Sequence, residues 1–292
     1  MILIKRVSVF LSTALILSSF ILIFAGSAYG QAGVSKGLVQ SDYESHQFKE
    51  DIEFVIGKRV MWKYTDGTFR PTVQMTQGQL LTSLVTLMQL KEKAHLAQMS
   101  DGHWGKDIYE KANKAGMLTG VTIDPNRLLS KEEAALIINN AWLPYRGGVT
   151  PGVSNYKHLI NRGFLPIVSY TSESPFQRAE AAHILKLLYL EFHGMIAGGK
   201  VADQFHNSLK LENGYLSGTV PDSDNLTITA IIIKDSASLY LNVHQGFTFR
   251  EKKSDIEGMI LLVEVPEISA PVAHYTYPAL PKLTRINALK FD

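Results

Sequence analysis

Three stretches of this chain align without gaps, each opening a helix: Thr76-Gln77-Gly78-Gln79-Leu80-Leu81, Ser130-Lys131-Glu132-Glu133-Ala134-Ala135 and Gln177-Arg178-Ala179-Glu180-Ala181-Ala182. Recurrence of a unit of about 50 residues constrains the fold more than any single motif, because one amphipathic helix pair cannot bury its apolar face alone. Neighbouring units must supply the cover. Thr76 and Ser130 suit an N-cap, and Gln79 and Glu133 stand three residues later, so two capping boxes are expected in register. Behind them Leu80, Leu84, Leu87 and Met88, then Ala134, Ile137, Ile138 and Ala141, then Leu185, Leu188 and Tyr189 fall at helical spacing.

Each unit also carries an earlier, weaker helical pattern, over 51–60, 106–115 and 155–162. Gly116 and Gly163 each stand fourteen residues before the aligned cap, where a glycine can close a helix in the left-handed conformation. The units are bounded at 43–92, 96–144 and 149–195. After Gly198-Gly199 the period changes from 3.6 to 2: Leu226, Ile228, Ala230 and Ile232 alternate with their neighbours. Beyond a Lys234-Asp235-Ser236 turn, Leu239, Leu241 and Val243 do the same. Those two runs predict a hairpin, and further strands are expected over 215–220, 247–250 and 259–265. Pro266, Pro271, Pro278 and Pro281 predict an extended, irregular end. The expected fold class is α+β: three helix-loop-helix repeats packed as a pseudo-threefold α-helical body, then a small antiparallel β domain over 200–292.

Lys5-Arg6 ahead of an uncharged apolar run over 7–25, followed by Gly26, Ser27 and Ala28, reads as a signal peptide over residues 1–28. An uncleaved signal anchor is the other reading of the same run. Either way the body is expected outside the cytoplasm, and after cleavage it is expected to be a soluble monomer with no membrane contact. Lys and Arg exceed Asp and Glu by two, and Lys5 and Arg6 account for that excess, so bulk charge points to no nucleic-acid partner. The absence of cysteine excludes disulfides, thiolate metal sites and cysteine nucleophiles. His183 and His193 stand ten residues apart and form no compact ligand set, and no phosphate loop, dinucleotide fingerprint or nucleophile elbow occurs. No cofactor, no metal and no enzymatic activity are therefore expected. Glu132 and Glu133 are assigned to the capping box, and Phe69, Leu128 and Phe176 to the cores of their turns.

The loops between the paired helices are more specific. Asp66-Gly67-Thr68-Phe69-Arg70-Pro71 precedes the first capped helix, Asp101-Gly102-His103-Trp104 opens the second unit, and Arg178-Ala179-Glu180 opens the last helix. In that order these motifs resemble the S-layer homology family, spread over three degenerate repeats that cover about half of the chain. The resemblance implies a pseudo-threefold helical body that binds pyruvylated secondary cell-wall polysaccharide in the grooves between repeats. It makes Arg178 the ligand for a carboxylate, with a planar fork of donors beside a helix N-terminus. Lys131 is a charge-preserving substitute at the aligned position, and Gln77 lacks the charge. Trp104 and Asp101 carry the family's first-helix signature and Gly67 and Thr68 its turn, so these seven residues form the expected glycan site.

Arg178 has no evident structural reason to be charged where the helix dipole favours an acid, so its loss is expected to weaken glycan binding and spare stability. The function implied is that of an exported envelope protein, at the cell wall or cell surface of a Gram-positive-type bacterium. Two other readings stay open. One is a structural or assembly protein of the envelope or spore surface whose repeats bind no glycan. The other is an enzyme with its site in the β domain, using His206, His244 or Asp255.

Overall fold

The chain divides into two units, Met1–Val39 and Gln40–Asp292. The computed structural model describes residues 41–146, 152–165, 171–234, 239–268 and 270–277, so the signal-peptide reading and the Lys234-Asp235-Ser236 turn lie wholly or partly outside it. Among the described residues six α-helices precede two antiparallel sheets, a mixed α+β architecture.

The helices are α1 (Lys49–Gly57), α2 (Gln77–Leu87), α3 (Lys106–Lys114), α4 (Lys131–Arg146), α5 (Asn155–Asn161) and α6 (Arg178–Ser208). Local chemistry sets their ends. The Thr76 hydroxyl accepts from the Gln79 N–H (3.3 Å) while the Gln79 side chain accepts from the Thr76 N–H (3.1 Å), and Ser130 and Glu133 repeat the exchange at 3.3 and 2.9 Å. Glu180 accepts from the Gln177 N–H at 3.0 Å. Gly116 (φ +76°) and Gly163 (φ +75°) close α3 and α5, and the Met117 and Phe164 N–H groups then reach back to the Ala112 and Leu159 carbonyls. Unit one manages the same closure with Arg59 at φ +57°. Glu132 is not part of the capping box: its carboxylate caps α5 instead, accepting from the Asn155 and Tyr156 N–H groups at 2.9 and 3.1 Å.

The segments just before α2, α4 and α6 are knitted by backbone hydrogen bonds that close on themselves. Met75 N–H donates to the Phe176 carbonyl (2.8 Å), Phe176 N–H to Leu129 (3.0 Å) and Leu129 N–H to Met75 (3.0 Å). Their side chains are all buried. The first helical N–H groups continue the scheme: Gln77 donates to Arg127, Lys131 to Ser174 and Arg178 to Val73, at 2.9, 2.9 and 3.0 Å. Gly78, Glu132 and Ala179 donate likewise to Pro125, Ser172 and Pro71. N–H groups that an isolated helix would leave to water are thus spent on the loop of another unit. Leu128, expected in the core of its turn, is 55% exposed, and its neighbour Leu129 is buried in its place.

The expected break at Gly198-Gly199 is absent, because α6 continues unbroken to Ser208. Glycine costs a helix up to about 1 kcal/mol per residue, but here it permits close approach. A Cβ on Gly194 would lie 2.6 Å from Val265 Cγ2, and one on Gly198 would lie 2.8 Å from the Ala273 Cβ. The β region accordingly starts at β1 (Lys210–Glu212), about ten residues later than residue 200. An Asn213-Gly214 pair with both φ positive turns β1 into β2 (Tyr215–Thr219), a hairpin unforeseen in the sequence reading.

The remaining strands are β3 (Thr227–Lys234), β4 (Leu239–His244), β5 (Thr248–Lys252), β6 (Ile256–Glu264) and β7 (Ala273–Tyr277). They form sheets ordered β1-β2-β5 and β4-β3-β6-β7. The expected β3–β4 hairpin is present, with Ala230 opposite Val243 and Ile232 opposite Leu241. β7 corrects the expectation of an irregular end: between Pro271 and Pro278 it pairs with β6 from Met259↔Tyr277 to Val263↔Ala273. The buried faces of β6 and β7 pack against α6 through Val263 and Ala273.

Candidate functional site

A cavity of about 240 Å³ opens at the start of α2. It is smaller than the roughly 300 Å³ at which pockets for drug-sized ligands begin, a size suited to a sugar-scale group. Buried Met61 and Met75 contribute its apolar part, and two tryptophans stand exposed at it, Trp62 at 49% and Trp104 at 64%. Trp104 reaches this position because α2 carries glycine in its first turn. A Cβ on Gly78 would sit 2.8 Å from the Trp104 Cη2. The turn behind Trp104 is fixed by His103, whose Nδ1 accepts from the Gly105 N–H at 3.0 Å.

Arg178 lines this cavity from the third unit, but it is 4% exposed and two of its nitrogens are engaged. Nε donates to the Phe69 carbonyl and Nη2 to the Trp62 carbonyl, both at 2.8 Å. Its guanidinium lies 4.6 Å from the Phe69 ring centre and 4.8 Å from that of Tyr64. Tyr64 also meets the Arg70 guanidinium, at 4.0 Å. Burial pushes the Arg178 pKa below its ordinary value, and a guanidinium still remains charged near neutral pH. The expectation that Arg178 lacks a structural reason for its charge is therefore corrected: it staples the third unit to the turn of the first.

That turn is built on Asp66 and Asp42. Asp66 accepts from the Thr68 hydroxyl (2.6 Å), the Thr68 N–H (2.9 Å) and Arg70 Nη2 (2.7 Å), which hold its carboxyl well below the usual range. Asp42 accepts from the Phe69 and Arg70 N–H groups at 2.8 and 2.6 Å. Gly67 supplies φ +83°. Gly67 and Thr68 thus shape the turn without lining the cavity.

The other residues expected at the site are dispersed. Lys131 is buried in an ion pair with Glu180 and lies away from the cavity. Gln77 is a buried junction: its Oε1 accepts from the Tyr109 hydroxyl (2.8 Å) and the Asp124 N–H (2.9 Å), and its Nε2 donates to the Thr122 carbonyl (2.8 Å). It borders a separate cavity of about 110 Å³. Asp101 is 97% exposed and pairs with Lys106. Only Arg178 and Trp104 of the seven expected residues meet at the cavity beside α2, joined there by Trp62, Lys63 and Tyr64. A Trp-Lys-Tyr run immediately before the Asp-Gly turn was the sequence signal for these three.

A further cavity of about 250 Å³ lies beside Trp142, Arg162 and Glu191. Buried Glu191 accepts from the Trp142 indole N–H (2.7 Å) and pairs with Arg146, which also donates to the Pro271 carbonyl (2.6 Å). This network ties α4 and α6 to the segment before β7. In the β region His206 bonds the Tyr275 hydroxyl (3.0 Å) and Asp255 the Ser254 hydroxyl (2.7 Å). Among the described residues no group of three His, Asp or Glu is placed to hold a metal, and no helix is long and apolar enough to cross a membrane.

Residues 41–81, which carry α1, the Asp66–Arg70 turn and the cavity-lining start of α2, match the S-layer homology domain family. The chain therefore contains an S-layer homology domain, and a domain of this family implies association with the cell wall or cell surface. Over 114 residues the chain is 25% identical to exoglucanase XynX of Acetivibrio thermocellus, a stretch covering 37% of this chain and 10% of that protein. Over 105 residues it is 26% identical to endo-1,4-beta-xylanase A of Thermoanaerobacterium saccharolyticum, covering 34% and 9%. The chain thus spans about a tenth of the length of the curated relatives it matches.

Proposed function

We propose that this is an exported envelope protein that attaches non-covalently to pyruvylated secondary cell-wall polysaccharide. In this reading the three helix pairs act as three S-layer homology-like repeats in one pseudo-threefold body, supported by the closed cycle through Met75, Phe176 and Leu129. The protein works as a monomer and performs no catalytic step. The observation that carries the reading is the pair of exposed tryptophans, Trp62 and Trp104, at one small cavity within and beside the matched domain. An indole offers a flat apolar face to a sugar ring and an N–H to its oxygens.

Co-sedimentation with wall sacculi, before and after the polysaccharide is stripped, tests it. Binding should require the polysaccharide, and Trp104→Ala should lower affinity about tenfold, a loss of ~1.4 kcal/mol. Equal recovery with stripped sacculi would sink the reading. A second reading, an envelope scaffold that binds no glycan, is favoured by the inward engagement of Gln77, Lys131 and Arg178. Under it, Trp104→Ala would leave sacculus binding unchanged.

A further inference from the structure

We infer that Lys63, not Arg178, is the residue of the cavity at the start of α2 that reads a carboxylate on the glycan. The inference rests on the anchoring function proposed above and assigns the charge selectivity of that same site.

Among the described residues the cavity is lined by two cations, Lys63 and Arg178, and by no carboxylate. The charges in its lining are therefore both positive, and the two cations differ in what remains to them. The Arg178 guanidinium is buried, stacked against Phe69 and Tyr64, and bonded through Nε and Nη2 to the Phe69 and Trp62 carbonyls. For those nitrogens to grip a carboxylate as a planar fork, the bonds holding the turn would have to break. Lys63 is exposed, and no carboxylate pairs with it among the described residues. Its ammonium lies 5.2 Å from the Tyr43 ring centre, a cation–π contact that leaves the charge unneutralised.

The helix start is not available in its place. Gln77, Gly78 and Gln79 of α2 have their N–H groups bonded to Arg127, Pro125 and the Thr76 hydroxyl. Lys63 also sits between Trp62 and Tyr64, both at the cavity, so a sugar resting on an indole would bring an acidic substituent to the flexible ammonium. Arg178 then acts as a positioning residue: it sets the carbonyl of Trp62 and the ring of Tyr64.

The test compares wild type, Lys63→Gln, Lys63→Arg and Arg178→Lys. The probe is sacculi carrying their polysaccharide, native or after carbodiimide amidation of the polysaccharide carboxylates. Wild type should lose about two- to fivefold in affinity on amidation, the range of a partly exposed charge pair. Lys63→Gln should bind native material as weakly as wild type binds amidated material, respond little to amidation and show a shallower salt dependence, with an unchanged melting temperature. Lys63→Arg should restore the response. Full amidation sensitivity in Lys63→Gln would overturn the inference. So would its loss in Arg178→Lys at unchanged melting temperature. Wild type binding native and amidated sacculi equally would remove this inference and leave the anchoring function standing. No binding to native sacculi would remove both.

Discussion

Arg178 holds the buried Phe69 carbonyl and the partly buried Trp62 carbonyl, so truncating it strands backbone acceptors rather than freeing a surface charge. Each unsatisfied buried acceptor costs roughly 1–3 kcal/mol, and Arg178→Ala should lower unfolding free energy by about 2–4 kcal/mol in urea titration. A loss below about 0.5 kcal/mol would show that the staple is dispensable. His158 sets a different dependence. It is buried against the Trp142 ring with its Nδ1 unpartnered, and burial, with the nearby Arg162 charge, lowers its pKa from 6.5. The unfolded chain therefore takes up this proton first, so stability should be intact above about pH 6.5 and decline as pH falls toward the lowered folded value. His158→Leu should lessen the fall in melting temperature as pH drops below about 6.5, the remainder coming from His193, whose pKa burial also lowers. Asp51 works lower on the scale: burial would raise its carboxyl, but hydrogen bonds from His183 and Lys186 outweigh this and bring it below 3.8. Its contribution is present above about pH 4 and lost as pH falls further, so Asp51→Asn should remove part of that acid limb and leave the His158 window unaltered.

At the scale of elements, α6 is where the periodicity of the sequence misled. Gly198-Gly199 reads as punctuation, yet Gly194 and Gly198 form the strip on which Val265, Val272 and Ala273 lie. Gly198→Leu should force the helix off the sheet and cost about 1–3 kcal/mol, with loss of near-ultraviolet signal ahead of helix content. A mutant as stable as wild type would mean that helix and sheet are not packed as described. The capping boxes at Thr76 and Ser130 were legible because hydrogen bonds between residues three apart need no tertiary information. The role of Glu132 as the cap of α5 was not, because the α5 groups it caps lie more than twenty residues away.

For the whole molecule, the closed set of bonds through Met75, Phe176 and Leu129 joins the segments before α2, α4 and α6 to one another. The Arg146–Glu191–Trp142 network then binds the helices to the β region. Unfolding of the full chain should be a single transition, and removal of residues after 208 should strip the cover from Phe205 and the α6 glycines. That truncated chain should bind hydrophobic dye and melt broadly, as monitored by calorimetry. A sharp transition at the parental temperature would mark the helices as an independent domain.

The sequence by itself determined the helix starts, most strands, the left-handed glycine closures and the family of residues 41–81. All of these depend on residue spacing and on local steric and hydrogen-bond preferences. Only the tertiary structure decided which aligned residue went where. Gln77, Lys131 and Arg178 occupy the same helical position, yet one became a polar junction, one a buried ion pair and one a staple beside the cavity. Each side chain reaches partners more than thirty residues away in the chain, so its environment is set by distant segments. The cavity likewise depends on Trp62 and Trp104, 42 residues apart in the chain, being brought to one helix start by packing that no local pattern records.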